Sequence, residues 1–393
     1  LKQQTLYATI LLDRFNDAAA NPWGLAIAPD GNTLWIAVSG THQLGRLDLA
    51  RMHALLRREL PEITRQRQAR SDEQAESTTR GSMAYSDSWQ LGIKDPNSVE
   101  IVISAMPPEY GQGRFLGRVF QRFDLPGNGP RGLGVSPDGN RVAAAMYYSG
   151  NIAWIDADAV KVARTIPLGN QPMPDEARRG ESIFHDAEYC FQHWLTCSTC
   201  HPDGRSDGLN WDLLTDGIGN MKNTKSLLLS DRTPPMMARG VRPDMEAAVA
   251  AGFKFILFQE PKAEDRRAVD SYLRTMRPAV SPFLVDGRLS QSAEAGKMVF
   301  ESPETRCAAC HHAPLFTDLR LHDVGTQLPG DEAVAIDTPT LVELWRNAPY
   351  LHHGQAGTLQ EVFTRWNRND KHGKTSHLSR EEIDALAEYL RSL

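Results

Sequence analysis

A β-rich first part followed by two all-α modules is the fold class this sequence predicts. Three observations predict it. A strand–turn–strand segment occurs twice before residue 172. After residue 173, amphipathic helical patterns flank each of two C-x-x-C-H boxes. Finally, 393 residues exceed what one core normally organises, so two or three domains are expected.

The first part is read from its repeat. Asn21-Pro-Trp-Gly-Leu-Ala-Ile-Ala-Pro-Asp-Gly-Asn32 recurs as Gly129-Pro-Arg-Gly-Leu-Gly-Val-Ser-Pro-Asp-Gly-Asn140, and both copies run on without a gap into a second and third strand. Asp-Gly and Gly-Asn supply the positive-φ positions of a tight hairpin. The unit resembles the YVTN/lactonase-like β-propeller repeat, and Val99 to Pro126 could supply the blade between the copies. Residues 1–172 are therefore predicted to be a partial, three- to four-blade β-propeller segment. Residues 51–90, rich in Arg, Glu, Gln and Ser, form an insertion within it. A closed propeller takes more blades. Blades preceding Leu1, a second chain that completes the ring, a homo-oligomer or an open sheet stack would each deal with the exposed strand edges.

The chemistry lies in Cys197-Ser-Thr-Cys200-His201 and Cys307-Ala-Ala-Cys310-His311. Thiols three residues apart share one side of a helical turn, where both can form thioether bonds to porphyrin vinyls. The adjacent His then supplies an imidazole nitrogen to the iron. Two covalently bound haem c groups are the expected cofactors, held by Cys197, Cys200, Cys307 and Cys310, with His201 and His311 as axial ligands. Zinc bound by both Cys pairs, or structural disulfides, are the alternatives. Cys190 is left over and is expected to be a buried or unpaired thiol.

Each box has a helix before it and another after it. Pro174 to Phe184 puts Ala177, Gly180, Ile183 and Phe184 on one face, and Ala293 to Phe300 repeats the pattern around Gly296. Later helices end in Tyr272-Leu-Arg274 and Tyr389-Leu-Arg391. A small residue early and Tyr-Leu late is how a small cytochrome c fold crosses its end helices. Two tandem cytochrome c domains are therefore predicted, at 173–281 and 282–393.

The tandem boxes, and Asp337-Thr-Pro-Thr-Leu-Val-Glu-Leu-Trp-Arg-Asn-Ala-Pro349-Tyr-Leu-His352-His-Gly in particular, resemble the dihaem cytochrome c peroxidase/MauG family. The resemblance covers about 220 residues and includes a counterpart at Lys222-Asn223-Thr-Lys-Ser-Leu. It implies one calcium ion between the haem domains, with Asn223, Asn347 and Pro349 at the matching positions. Three departures bear on chemistry. Where the family has a Met or Tyr sixth ligand, this chain has Trp366, a poor ligand. His377 is the preferred replacement because it leads into the last helix, and His372 is the alternative. The family's distal His falls on Thr215, and its Trp between the haems falls on Ala238. Met237 is a candidate to line the distal face or to ligate iron, and Glu260 is nearest by position to the family's distal acid. His185 and His193, near the first box, are further candidates to approach a haem.

The resemblance implies a periplasmic oxidoreductase that reduces peroxide or a related small oxidant, with electrons relayed between two haems and a small donor protein or cytochrome as partner. The other readings are a non-catalytic electron-transfer subunit with both irons six-coordinate, or a redox-complex subunit acting on another small substrate such as a nitrogen compound. Net charge −6 with no basic stripe excludes a nucleic-acid binder, and no apolar run reaches membrane-spanning length. Haem c is attached outside the cytoplasm, so the chain is expected to be exported. Leu1 is then a processed or truncated start, since Leu1 to Leu12 lacks a signal-peptide layout.

Overall fold

The computed structural model describes residues 9–13, 17–55, 57, 102–104, 114–115, 119–213, 221–328, 331, 335–367 and 369–393. The chain divides into a β unit, Leu1–Met173 with His185–Thr196, and a helical unit, Pro174–Phe184 with Cys197–Leu393.

Two four-stranded antiparallel meanders make up most of the described part of the β unit. The first holds β1 (Pro22–Ile27), β2 (Thr33–Val38), β3 (Gln43–Asp48) and β4 (Phe120–Asp124), in that order. The second holds β5 (Pro130–Val135), β6 (Arg141–Met146), β7 (Asn151–Asp156) and β8 (Lys161–Pro167). The repeated Pro-Asp-Gly-Asn turns set both registers. Gly31 and Gly139 take φ of 70° and 76°, and Asp30 and Asp138 accept hydrogen bonds from the backbone amides of Asn32 and Asn140 at 2.9 and 3.0 Å. Trp35 and Leu44 of one sheet share a core with Val142, Ala144, Met146, Ala153 and Ile155 of the other.

Among the described residues there are two such meanders, where the sequence predicted three or four blades. Among the described residues, Val99 to Pro126 shows no blade of its own. Its last strand, β4, pairs with β3, while Val102–Ser104 pairs in parallel with both Thr9–Leu11 and Arg114–Phe115. A parallel arrangement cannot continue an antiparallel meander. Most of the insertion at 51–90 lies outside the described residues.

In the helical unit, α1 (Glu176–Phe184), α2 (Met245–Phe255) and α3 (Ala263–Leu273) accompany the first box. The helices α4 (Gln291–Glu301), α5 (Leu359–Thr364) and α6 (Arg380–Arg391) accompany the second. Asp244, Ser290, Thr358 and Ser379 cap four of these helices through their side chains, Ser379 in a full capping box with Glu382. The pairs α1–α3 and α4–α6 are built alike. Gly180 lies against the Ala268 carbonyl and Gly296 against the Ala385 carbonyl, so close that a Cβ at either glycine would overlap backbone. Phe184 meets Tyr272 edge-on at 5.3 Å, and Phe300 meets Tyr389 at 5.3 Å. These crossings depend on the missing side chain. Gly296→Ala is expected to cost at least the upper end of the roughly 1–3 kcal/mol typical of overpacking, because backbone cannot step aside as a side chain can. Calorimetry should show it as a lowered Tm.

The segment 185–196 belongs to the β unit, although the sequence placed it in the first helical domain. Ala187 donates to the Gly40 carbonyl at 2.8 Å, and Ala18 to the Gln192 carbonyl at 3.2 Å. No helix among the described residues is long and apolar enough to cross a membrane.

Candidate functional site

Each box forms one helical turn, Cys197–Cys200 and Cys307–Cys310, and the following His leaves the helix. No two of the five cysteines are paired in a disulfide, which removes the disulfide alternative. Among the described residues, no cluster of metal-ligand type joins the cysteines of both boxes, so the four-cysteine zinc site is not formed. Burial, then the Asp207 carboxylate and the Cys197 thiol, pushes the Cys200 thiol up to about 12. Burial likewise raises Cys307 and Cys310. Thiols held protonated are poor ligands for a metal ion, since the thiolate is the form that binds one. Cys190 is a buried thiol in the β unit, 3.6 Å from the Phe191 carbonyl oxygen.

The two proximal imidazoles are held in the same way. His201 Nδ1 lies 3.1 Å from the Arg205 carbonyl oxygen, and His311 Nδ1 lies 2.9 Å from the Phe316 carbonyl oxygen. A carbonyl can only accept, so Nδ1 carries the proton in both rings and Nε2 keeps its lone pair. Burial lowers the pKa of both rings and keeps them neutral. A neutral imidazole oriented through its other nitrogen is what an iron ligand requires.

Opposite His311 stands His372, with ring centroids 6.3 Å apart and planes inclined at 50°. A metal–imidazole bond of about 2 Å on each side, plus about 1 Å from nitrogen to ring centre, spans close to that distance. Burial, with a further contribution from His311, lowers His372 to about 4, so it too is neutral at pH 7. Its Nδ1 is buried without a hydrogen-bond partner. Asn367 fixes its backbone: Oδ1 accepts from the His372 amide at 2.9 Å, and Nδ2 donates to the carbonyls of His372 and Gly373 at 3.1 and 2.8 Å. Lys374 donates to the Thr305 carbonyl at 2.9 Å, which seats this loop beside the second box. The residues fit a covalently held haem, which Cys307, Cys310, His311 and His372 would hold.

Of the two sequence candidates, the structure brings His372, the alternative, to His311 and does not bring His377, the preferred one, there. That ring is exposed and faces Glu304 at 3.7 Å, on the solvent side of the loop. Glu260 is exposed and pairs with Lys254 at 3.2 Å, in a surface ion pair. Trp366 has its Nε1 buried without a partner and carries Arg365 over its ring at 5.1 Å. Met237 is half-buried at φ 70°, in the turn closed by the bond from Gly240 to its carbonyl. Ala238 accepts from the Asp337 amide at 2.8 Å. Thr215 lies outside the described residues. His185 and His193 belong to the β unit, where they meet the Tyr148 hydroxyl at 3.0 Å and Asp17 at 3.3 Å.

Of the calcium positions, Asn223 and Pro349 flank Gly354 from two sides. Asn223 Nδ2 faces Asn210 Oδ1 at 3.2 Å, and Asn347 Oδ1 is buried without a donor. Arg205 and Glu343 escaped the sequence reading altogether. Arg205 Nε and Nη2 donate to the two Glu343 oxygens at 2.9 and 2.8 Å. Nothing in the local pattern around either residue signals the other.

Fold and site together define a c-type cytochrome with paired attachment boxes. No protein-family model matches the chain. It is 30% identical over 271 residues to hydrazine synthase subunit gamma of Kuenenia stuttgartiensis, spanning 55% of this chain and 77% of that relative. It is 27% identical over 266 residues to the methylamine utilization protein MauG of Methylophilus methylotrophus, with the same coverage of 55% and 77%. A solved structure of Kuenenia stuttgartiensis hydrazine synthase under xenon superposes with TM-score 0.52 at 28% identity, over 57% of this chain and 89% of that one. The chain belongs to the MauG-like dihaem cytochrome c peroxidase family. Its relatives support a haem-based redox function.

Proposed function

We propose that this chain is a dihaem c-type oxidoreductase in which the haem at His201 reacts with peroxide or a related small oxidant, while the haem at His311 passes electrons. The observation that carries this reading is the His311–His372 pair at 6.3 Å. Were both imidazoles to hold one haem, that haem would keep no position for substrate, which suits it to electron transfer. Among the described residues no ring pairs with His201 in this way. Haem supplies the one-electron chemistry when bound. The chain supplies axial imidazoles in the correct tautomer, buried surroundings and the Arg205–Glu343 link beside His201. Asn223, Asn347 and Pro349 are proposed to hold one calcium ion through oxygen donors. An electron-donor protein is the proposed partner, and the periplasm is the proposed compartment.

Magnetic spectroscopy of the oxidised holoprotein tests the assignment. One high-spin and one low-spin ferric signal are expected, with turnover on hydrogen peroxide in the presence of a reduced small cytochrome. Two low-spin signals with no response to peroxide or cyanide would instead support a non-catalytic electron-transfer subunit. The likeness to a hydrazine synthase subunit favours a second reading, in which the chain serves a redox complex acting on a small nitrogen compound. Nitric oxide or hydroxylamine that perturbs the high-spin signal, combined with no peroxide turnover, would move the assignment there.

A further inference from the structure

We propose that Asp331, His352 and His353 form a site for one divalent transition-metal ion of the zinc class, separate from both haem boxes and from the oxygen-donor positions at Asn223 and Pro349. Asp331 Oδ2 lies 2.9 Å from His352 Nε2 and 2.6 Å from His353 Nε2. All three ligand atoms lie within 4.8 Å of one another. With metal–ligand bonds of about 2.0–2.1 Å, donors on a shared ion stand about 3 Å apart, so little movement would be needed to close around one.

Hydrogen bonding alone accounts poorly for this cluster. Oδ2 of Asp331 has the two imidazole nitrogens and the Leu328 amide, at 3.2 Å, around it. That is three neighbours for one oxygen with two in-plane lone pairs. The other oxygen, Oδ1, is taken by the Lys222 ammonium at 3.1 Å. Lys222 thereby leaves Oδ2 as a single-oxygen donor. The three side chains are buried, with exposures of 3, 4 and 12% for Asp331, His352 and His353.

The surrounding structure holds the two histidines in place. Neighbouring residues in an extended chain point to opposite sides, yet these rings lie 4.3 Å apart. Leu351 at φ 70° and Gly354 at φ 62° turn the chain on either side of the pair, and Tyr350 and Ala356 close the loop as a bridge. The carbonyls of His352 and His353 accept from the Asn223 amide at 2.9 Å and from Asn210 Nδ2 at 2.8 Å. Gln355 accepts from the His353 amide at 3.1 Å and donates to the Thr326 carbonyl at 2.8 Å. Two imidazoles and one carboxylate suit zinc, iron or copper, whereas calcium and magnesium prefer oxygen throughout. Among the described residues the other cluster of this type, Cys310 with Asp318 and His322, is discounted because its thiol belongs to a haem box.

The test uses purified holoprotein stripped with a chelator, equilibrated with zinc and measured by elemental mass spectrometry. One tightly held zinc per chain is expected in addition to the haem iron, retained in millimolar calcium. His353→Gln and Asp331→Asn should each weaken zinc binding by more than about 100-fold, the upper end of what losing an outer partner costs, with both haem spectra unchanged. The proposal is overturned by wild-type protein that takes up no zinc, by zinc that calcium displaces, or by folded variants that bind as tightly as wild type. Should the variants not fold, wild-type protein decides the matter. Zinc is expected to protect His352 and His353 from diethylpyrocarbonate, and equal modification with and without zinc overturns the site.

Discussion

His372→Ala is expected to convert the second haem from a six-coordinate, low-spin species to a five-coordinate, high-spin one, leaving the first haem's signal unchanged. The ring is half-buried with its Nδ1 enclosed, is neutral at pH 7 and faces His311 at 6.3 Å, and the Asn367 side chain holds its backbone at both amide and carbonyl. No other imidazole in this loop faces inward, since His377 points to Glu304 at the surface. His377→Ala is therefore expected to leave both spectra as they are. Imidazole added to His372→Ala should restore the low-spin signal, which a merely structural role for the ring would not predict. Electron paramagnetic resonance or magnetic circular dichroism reads all three. A low-spin second haem that survives the loss of His372 would sink the assignment, and the division of labour between the two haems with it. Asn367→Ala should give a milder form of the same phenotype, a mixture of spin states, because the ligand remains but its backbone is released.

The contrast between His372 and His377 shows where reading this sequence stops. The haem boxes are legible because covalent chemistry fixes their spacing, and Gly180 and Gly296 are legible because a close helix crossing leaves room for nothing larger. The Pro-Asp-Gly-Asn turns announce both meanders for the same local reason. Choosing between two histidines five residues apart needs the fold of the loop, which Asn367 sets by folding back on residues 372 to 375. Nearness to a helix start favoured His377, but that side of the loop faces water. Glu260 is a similar case: matching by position cannot tell a buried carboxylate from one paired with Lys254 on the surface. The parallel pairing of Thr9–Leu11 with Val102–Ser104, and the return of residues 185–196 to the β unit, join distant parts of the chain and leave no periodic mark. Arg205 and Glu343 are the extreme case, 138 residues apart and joined by two hydrogen bonds.

That pair gives the largest expected effect on stability. Glu343 has a side chain 1% exposed, receives both Arg205 hydrogen bonds and also accepts from the Ala279 amide at 2.5 Å. Arg205 donates further to the carbonyls of Asp203 and Arg277, at 2.9 and 3.0 Å. Glu343→Ala strands a buried guanidinium, a loss of about 3–5 kcal/mol when one partner of a buried pair is removed. Glu343→Gln keeps the shape and some of the hydrogen bonds, so it should cost less. The pH dependence distinguishes charge from packing. Burial pushes Glu343 up, but the bonds from Arg205 and Ala279 and the Arg205 and Arg346 charges outweigh it, so its pKa lies below the ordinary 4.5. A depressed carboxyl pKa contributes stability above its unfolded value and loses it as pH falls through the folded one. Wild-type Tm should therefore drop more steeply below about pH 4.5 than that of Glu343→Gln. Equal slopes for the two proteins would mean that Glu343 acts by shape alone. Because the Arg205 carbonyl also holds His201 Nδ1, loosening the pair should broaden the first haem's signal before the second's. In this way the same salt bridge links the stability of the helical unit to the setting of the haem proposed to meet substrate.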